Sequence, residues 1–103
     1  MAYQIEIDPK ASRDFDKLDN SVKINLKKYL QKIVNVDNPK AYGKQLTGDL
    51  AGYWSYRVVN YRIIADVQDD KLVILIVGIG HRSVIYDELK KRLKVLGLLE
   101  DRE

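Results

Sequence analysis

The sequence predicts an α+β domain: two N-terminal helices and one C-terminal helix packed on a small, mainly antiparallel four-stranded sheet. Three observations carry that prediction. Segments before Asn35 and after Asp87 repeat their apolar residues at intervals of three and four. Segments between Tyr53 and Ile79 instead read as β-branched and aromatic runs with very short links. The resulting order, strand, helix, helix, strand, strand, strand, helix, segregates helices from strands, as α+β folds do.

"YQIEI", Tyr3 to Ile7, alternates apolar with polar residues and reads as a short strand. Asp8 and Pro9 suit an N-cap and a first helical position, and Ala11, Phe15 and Leu18 recur at helical spacing. "LDNS" interrupts this helix. Ser21 can cap a second, whose apolar stripe is Val22, Leu26, Tyr29, Leu30 and Ile33, with Lys23, Lys27, Lys28 and Lys32 largely off it. The two helices are expected to form a hairpin.

Asn-Pro, Tyr-Gly and Thr-Gly breakers make Asn35 to Gly48 the longest irregular connection. "YWSYRVV", "YRIIADV" and "KLVILIVGI" follow, linked at Val59-Asn60 and Asp69-Asp70, and read as an antiparallel meander. Val59 suits a tight hairpin turn poorly, because a β-branched residue resists positive φ. Asp87 opens the last helix, with Leu89, Leu93, Leu96 and Leu99 set against Lys90, Lys91, Arg92 and Lys94, and Gly97 is expected to end it.

A chain of 103 residues suits one domain, 1–103, with one modest core. With 46% hydrophobic and 32% charged residues the composition is that of a globular protein. No apolar run approaches the roughly 20 residues that cross a bilayer, so no membrane partner is expected. The start "MAYQIEIDPK" lacks the basic, apolar and small-residue order of a secretory signal, and the expected location is the cytoplasm. Absence of cysteine excludes disulfide and thiolate chemistry. Lys and Arg total 18 against 15 acids, and that net +3 is too small to argue for nucleic acid. Its distribution says more: from Lys40 to Arg62 the charged residues are Lys40, Lys44, Asp49, Arg57 and Arg62, so the local field is positive.

A hairpin turn at Val59-Asn60 places Arg57 directly opposite Arg62 on one sheet face. Like charges so placed repel, and cross-strand pairs matter by a few tenths to about 1 kcal/mol. A phosphate between two guanidinium groups would turn that repulsion into attraction. The competing reading is an exposed face whose arginines only solubilise it. Arg82, leaving the next strand just after Gly78 and Gly80, adds a third guanidinium at the same sheet end and favours an anion site. Tyr53 and Ser55 share the Arg57 face, whereas Trp54, Tyr56 and Val58 alternate toward the helices together with Ile63, Ala65 and Val67. Tyr53 is therefore the aromatic open to RNA, and Lys44 a further phosphate contact. With the second turn at Asp69-Asp70, the same face carries Ile64 beside Leu75 and Val77 and needs cover from the last helix or another chain.

The strand end "VGIGHRSVIY" holds His81, Arg82 and Tyr86 within six positions. Glycines let a backbone bend or be approached closely, which is expected to let His81 and Arg82 reach a bound phosphate. Histidine is suited to general acid or base work near neutral pH, although a lone histidine is more often an ordinary polar residue. Tyr86 either serves the site or anchors the strand-to-helix junction. With no cysteine and no second histidine, no metal site is expected.

"KQLTGDLAGYWSYRVVNYRIIADV" followed by "VILIVGIGHRSVIYD" resembles the RelE branch of the RelE/ParE toxin superfamily over Lys44 to Asp87. The likeness lies in a leucine-glycine loop, a Trp/Tyr-x-x-Arg-Val-x-x-Tyr-Arg hairpin and a Gly-His-Arg-x-x-Val-Tyr ending. It implies a RelE-like fold and a type II toxin neutralised by a RelB-like antitoxin in a hetero-oligomer. It also implies a ribosome-dependent endoribonuclease that cuts mRNA in the A site through the RNA's own 2′-hydroxyl, with no metal or other cofactor. Carried over by position, Arg57 and Arg62 hold the phosphate, Arg82 stabilises the transition state, and Tyr86 orients a base or substrate. Some members carry two lysines where this chain has Ser55 and Arg57, which leaves His81 as the remaining candidate for proton transfer. The alternatives are a ParE-like inhibitor of DNA gyrase without nuclease activity, and an inactive binding partner; Arg62, Arg82 and Tyr86 favour the nuclease.

Overall fold

The computed structural model describes residues 2–97. Strand β1, Gln4–Ile7, leads directly into helix α1, Pro9–Asp16, whose N-cap Asp8 accepts backbone hydrogen bonds from Lys10 and Ala11. Helix α2 spans Asn20–Val34, opening at Asp19 so that Ser21 lies inside it. The connection expected to be irregular contains a 3-10 turn, Pro39–Tyr42, and a two-residue strand β2, Lys44–Gln45. A second 3-10 turn, Gly48–Leu50, precedes strand β3, Trp54–Val58, which hairpins into β4, Tyr61–Gln68. Strand β5, Val73–His81, then hands over to helix α3, Ile85–Val95. That helix starts two residues before Asp87, and Gly97 follows it in the left-handed region at φ 75°. The expected Leu99 contact lies outside the described residues.

The sheet has five strands in the order β1-β5-β4-β3-β2, not four. β1 pairs parallel with β5, and the other neighbours are antiparallel. The fold is thus an α+β arrangement on a mixed sheet. The β3–β4 register is the one the two-residue turn requires, with Arg57 opposite Arg62. The β4–β5 register differs from expectation: Ile64 faces Gly78 rather than Leu75. The link between these strands is Asp69 to Leu72, not two residues, and a bulge between Ile64 and Ala65 shifts the pairs beyond it once more.

Alternation divides the sheet into two apolar faces. On one, Tyr56, Ile63, Ala65, Val67, Ile74, Ile76 and Ile79 bury against Ala11, Leu26, Leu30 and Ile33 of the first two helices. Both helices feed this core, α1 lying against β5 and α2 against β1 and β3. On the other face Ile64 is buried under Ile85, Leu89 and Leu93 of α3, joined by Leu50. The last helix therefore supplies the cover that the apolar outer face required.

Asp69 ties three segments together. Its carboxylate pairs with Lys40 at 2.9 Å and accepts the Tyr3 hydroxyl at 2.7 Å, which holds its pKa below the usual carboxylate value. A carboxylate with a lowered folded pKa adds stability above its unfolded pKa and loses it as pH falls through the folded value. Thermal stability is therefore expected to drop as pH falls below about 4, and Asp69→Asn to lower stability at pH 7 while flattening that acid limb. Melts of both proteins from pH 7 to pH 2 check this; equal acid limbs would contradict it.

Candidate active site

The α3 face of the sheet carries the opposed arginines. Two cross-strand rows define it: Lys44, Ser55, Ile64 and Gly78 in one, and Arg57, Arg62 and Gly80 in the next. Directly opposed residues share a face, so Lys44, Ser55, Arg57 and Arg62 all point to the side on which α3 lies. A Cβ on Gly80 would stand 3.1 Å from Ile85 Cδ1 and 3.4 Å from Ile85 Cβ, and one on Gly78 would stand 3.3 Å from Ile85 Cδ1. The bare backbone at both glycines is what admits the first residue of α3. This corrects the expectation that the glycines extend the reach of His81 and Arg82; they seat a helix.

Seating Ile85 fixes the direction of its neighbour. The Tyr86 hydroxyl lies 2.8 Å from Ser55 Oγ across the sheet. Ser55 is 6% exposed and is the buried polar side chain of the described core. α3 thus covers the β4–β5 side of this face and leaves the β2–β3 side open, where Lys44 and Arg57 are exposed; Arg62, at the start of β4, is half-buried. Tyr53 is half-buried against the α3 cluster, so it belongs partly to packing.

Arg62 is held in the hairpin turn, its Nη1 donating to the carbonyls of Val59 at 3.2 Å and Tyr61 at 2.9 Å. Arg82 continues the ladder past the Tyr61–His81 pair, its backbone N–H donating to Asn60 O at 2.8 Å, and its side chain is exposed. Among the described residues, ion pairs join Lys10 to Asp14, Lys40 to Asp69 and Arg92 to Asp8. Lys44, Arg57, Arg62 and Arg82 take no part in any of these. These four cations stand without a carboxylate partner among the described residues, and the local field is positive.

His81 stands elsewhere. It pairs across the sheet with Tyr61 on the face of the first two helices, edge-on at 5.6 Å between ring centroids. Its Nδ1 accepts the Ser83 backbone N–H at 3.1 Å and lies 2.8 Å from Ser83 Oγ, an arrangement that assigns the proton of the neutral ring to Nε2. The structure therefore gathers Lys44, Arg57, Arg62 and Tyr86 on one face, places Arg82 at its end, and turns His81 the other way. Ser55, which sequence reasoning puts on the correct face but gives no partner, is the addition; a small hydroxyl residue at an inward strand position is the signal.

The turn that holds Arg62 is itself strained. Val59 has φ 56° and is 68% exposed, so a β-branched residue occupies the left-handed region without burial to offset it. Val59→Gly is expected to raise stability by up to about 1 kcal/mol, since the steric relief exceeds the added backbone entropy of glycine. Thermal denaturation checks this; a lowered melting temperature would contradict it.

Comparison with known proteins agrees with this fold. The profile of the family described as "ParE toxin of type II toxin-antitoxin system, parDE" matches residues 5–86. A protein of Escherichia coli K12 named mRNA interferase toxin RelE is 31% identical over 96 residues, covering 90% of this chain and 99% of the relative. Among solved structures, the RelBE2 toxin-antitoxin complex of Mycobacterium tuberculosis superposes with TM-score 0.72 at 25% identity, over 81% of this chain and 94% of the other. A double arginine-to-alanine mutant of E. coli RelE in the free state gives TM-score 0.69 at 28% identity, over 90% and 99%.

Proposed function

The chain belongs to the RelE/ParE family of type II toxin–antitoxin toxins, and on that premise we propose that it is an mRNA interferase acting on the ribosome. The observation that carries the reading is the cationic row itself: Lys44, Arg57 and Arg62 on one sheet face beside Tyr86, with Arg82 at its end and no carboxylate pairing among the described residues. Cations fixed around a phosphate stabilise the charge that builds up in phosphoryl transfer without needing to move during it.

In this reading the 2′-oxygen of one nucleotide bonds to the adjacent phosphorus as the bond from phosphorus to the 5′-oxygen breaks. The 2′-hydroxyl loses its proton, the 5′-oxygen gains one, and the products are a 2′,3′-cyclic phosphate and a 5′-hydroxyl. Arg57, Arg62 and Lys44 hold the phosphate, Arg82 stabilises the transition state, and Tyr53 and Tyr86 contact RNA. His81, which faces Tyr61, is assigned no proton transfer. The reaction so written calls for no metal.

Helix α2 supports the ribosomal part of the reading. It carries Lys23, Lys27, Lys28 and Lys32 and no acidic residue, on the side of the sheet opposite the arginine row. Lysines four apart on a helix repel, and a structured RNA would relieve that repulsion while the substrate strand occupies the other face. Among the described residues no helix is long and apolar enough to cross a membrane. Residues 1–103 act in this account as one domain in the cytoplasm, silenced by a RelB-like antitoxin in a hetero-oligomer.

Brief induction followed by mapping of new 5′ ends on cellular mRNA tests the proposal. Cuts within translated codons are expected. Intact mRNA with arrested replication would instead indicate inhibition of gyrase.

A further inference from the structure

We propose that Ser55 is a positioning residue that holds the Tyr86 hydroxyl and so aims the Tyr86 ring at RNA. The inference deepens the nuclease reading and rests on it. Ser55 stands opposite both Lys44 and Ile64, in the row next to Arg57 and Arg62. Its Oγ, on a residue 6% exposed, lies 2.8 Å from the Tyr86 hydroxyl, and neither hydroxyl has another side-chain partner among the described residues. Tyr86 sits in the first turn of α3, one residue after Ile85, which the bare backbones of Gly78 and Gly80 lock onto the sheet.

Two restraints thus aim one side chain, the helix start from below and the buried hydroxyl from the side. Leaving either hydroxyl unpartnered in this partly buried site is costly and releases the ring. A ring held in place stacks on a base regardless of base identity. Part of the Tyr86 ring packs against the α3 cluster, and with its hydroxyl oxygen held at Ser55 Oγ the exposed remainder of this half-buried ring is what faces a nucleotide. The short serine hydroxyl suits this role; alanine would remove the anchor and threonine would keep it.

Single-turnover cleavage of mRNA on a programmed ribosome by S55A, S55T, Y86F and S55A/Y86F tests the pairing. S55A and Y86F are expected to lose the same factor, about tenfold. The double variant should lose no more than either, S55T should recover most of the rate, and the pH profile should not move. Multiplying losses in the double variant would overturn the proposal. So would a Y86F rate down by about 10² or more with a lost pH limb beside a normal S55A, since the hydroxyl would then be transferring the proton. Thermal melts of the same cycle do not depend on nuclease activity: losses of stability that fail to add support the pairing, and additive ones contradict it. Wild-type protein that cleaves nothing in this assay would count against the nuclease reading, with the melts still deciding the Ser55 contact.

Discussion

Arg82→Ala is expected to lower single-turnover cleavage by about 10² or more, and to end growth arrest, with the melting temperature unchanged. The side chain is exposed and takes part in no hydrogen bond or ion pair among the described residues; only its backbone N–H is used, by Asn60. Folding therefore loses nothing, whereas a developing phosphorane would lose one of its neighbouring cations. Arg62→Ala should cost as much activity but differ in stability, because it removes two hydrogen bonds to the Val59 and Tyr61 carbonyls. Its melt should fall modestly, by the equivalent of about 0.5–1.5 kcal/mol. A sharp fall for Arg82→Ala in a circular dichroism melt would make that residue structural and remove it from the site.

Gly80→Val is expected to damage both stability and activity. The new Cβ would stand 3.1 Å from Ile85 Cδ1 and 3.4 Å from Ile85 Cβ, before the two methyl groups are added. Overpacking of this kind costs about 1–3 kcal/mol, and the available relief is to lift the start of α3 from the sheet. Tyr86 would move with it and lose Ser55. Gly80→Ala, which presses mainly on the far end of a flexible isoleucine, should be milder on both counts. Loss of cleavage by Gly80→Val with an unchanged melt would contradict the helix-seating role and restore the idea that the glycine serves the reach of His81 and Arg82.

That glycine shows where sequence reasoning runs out. A two-residue link leaves little freedom of register, so the opposition of Arg57 and Arg62 is legible in the amino-acid sequence alone. Helix α1 is legible too, because Asp8 and Pro9 mark its start by side-chain capping and a fixed φ. The β4–β5 register is not, since a longer link and a bulge leave no periodic trace that separates them from a two-residue turn. Strand β2, two residues long, is too short for any alternation to show. The purpose of Gly78 and Gly80 and the contact between Ser55 and Tyr86 are tertiary facts. The hydroxyl pair spans 31 positions of chain, and nothing local to either residue names the other. Nothing local fixes the facing of His81 either; the bulge sets the alternation of β5 and turns it to Tyr61.

The central claim is that a cationic face promotes attack by the RNA's own 2′-hydroxyl, and a single-atom change in the substrate tests it most directly. Ribosomes programmed with mRNA carrying one 2′-deoxynucleotide immediately 5′ of the cleaved bond should leave that bond intact, while the unmodified mRNA yields an upstream fragment ending in a 2′,3′-cyclic phosphate or its 3′-phosphate product. Cleavage of the deoxy substrate at the normal rate, with a 3′-hydroxyl or 3′-phosphate end, would mean that water is the nucleophile and would contradict the account.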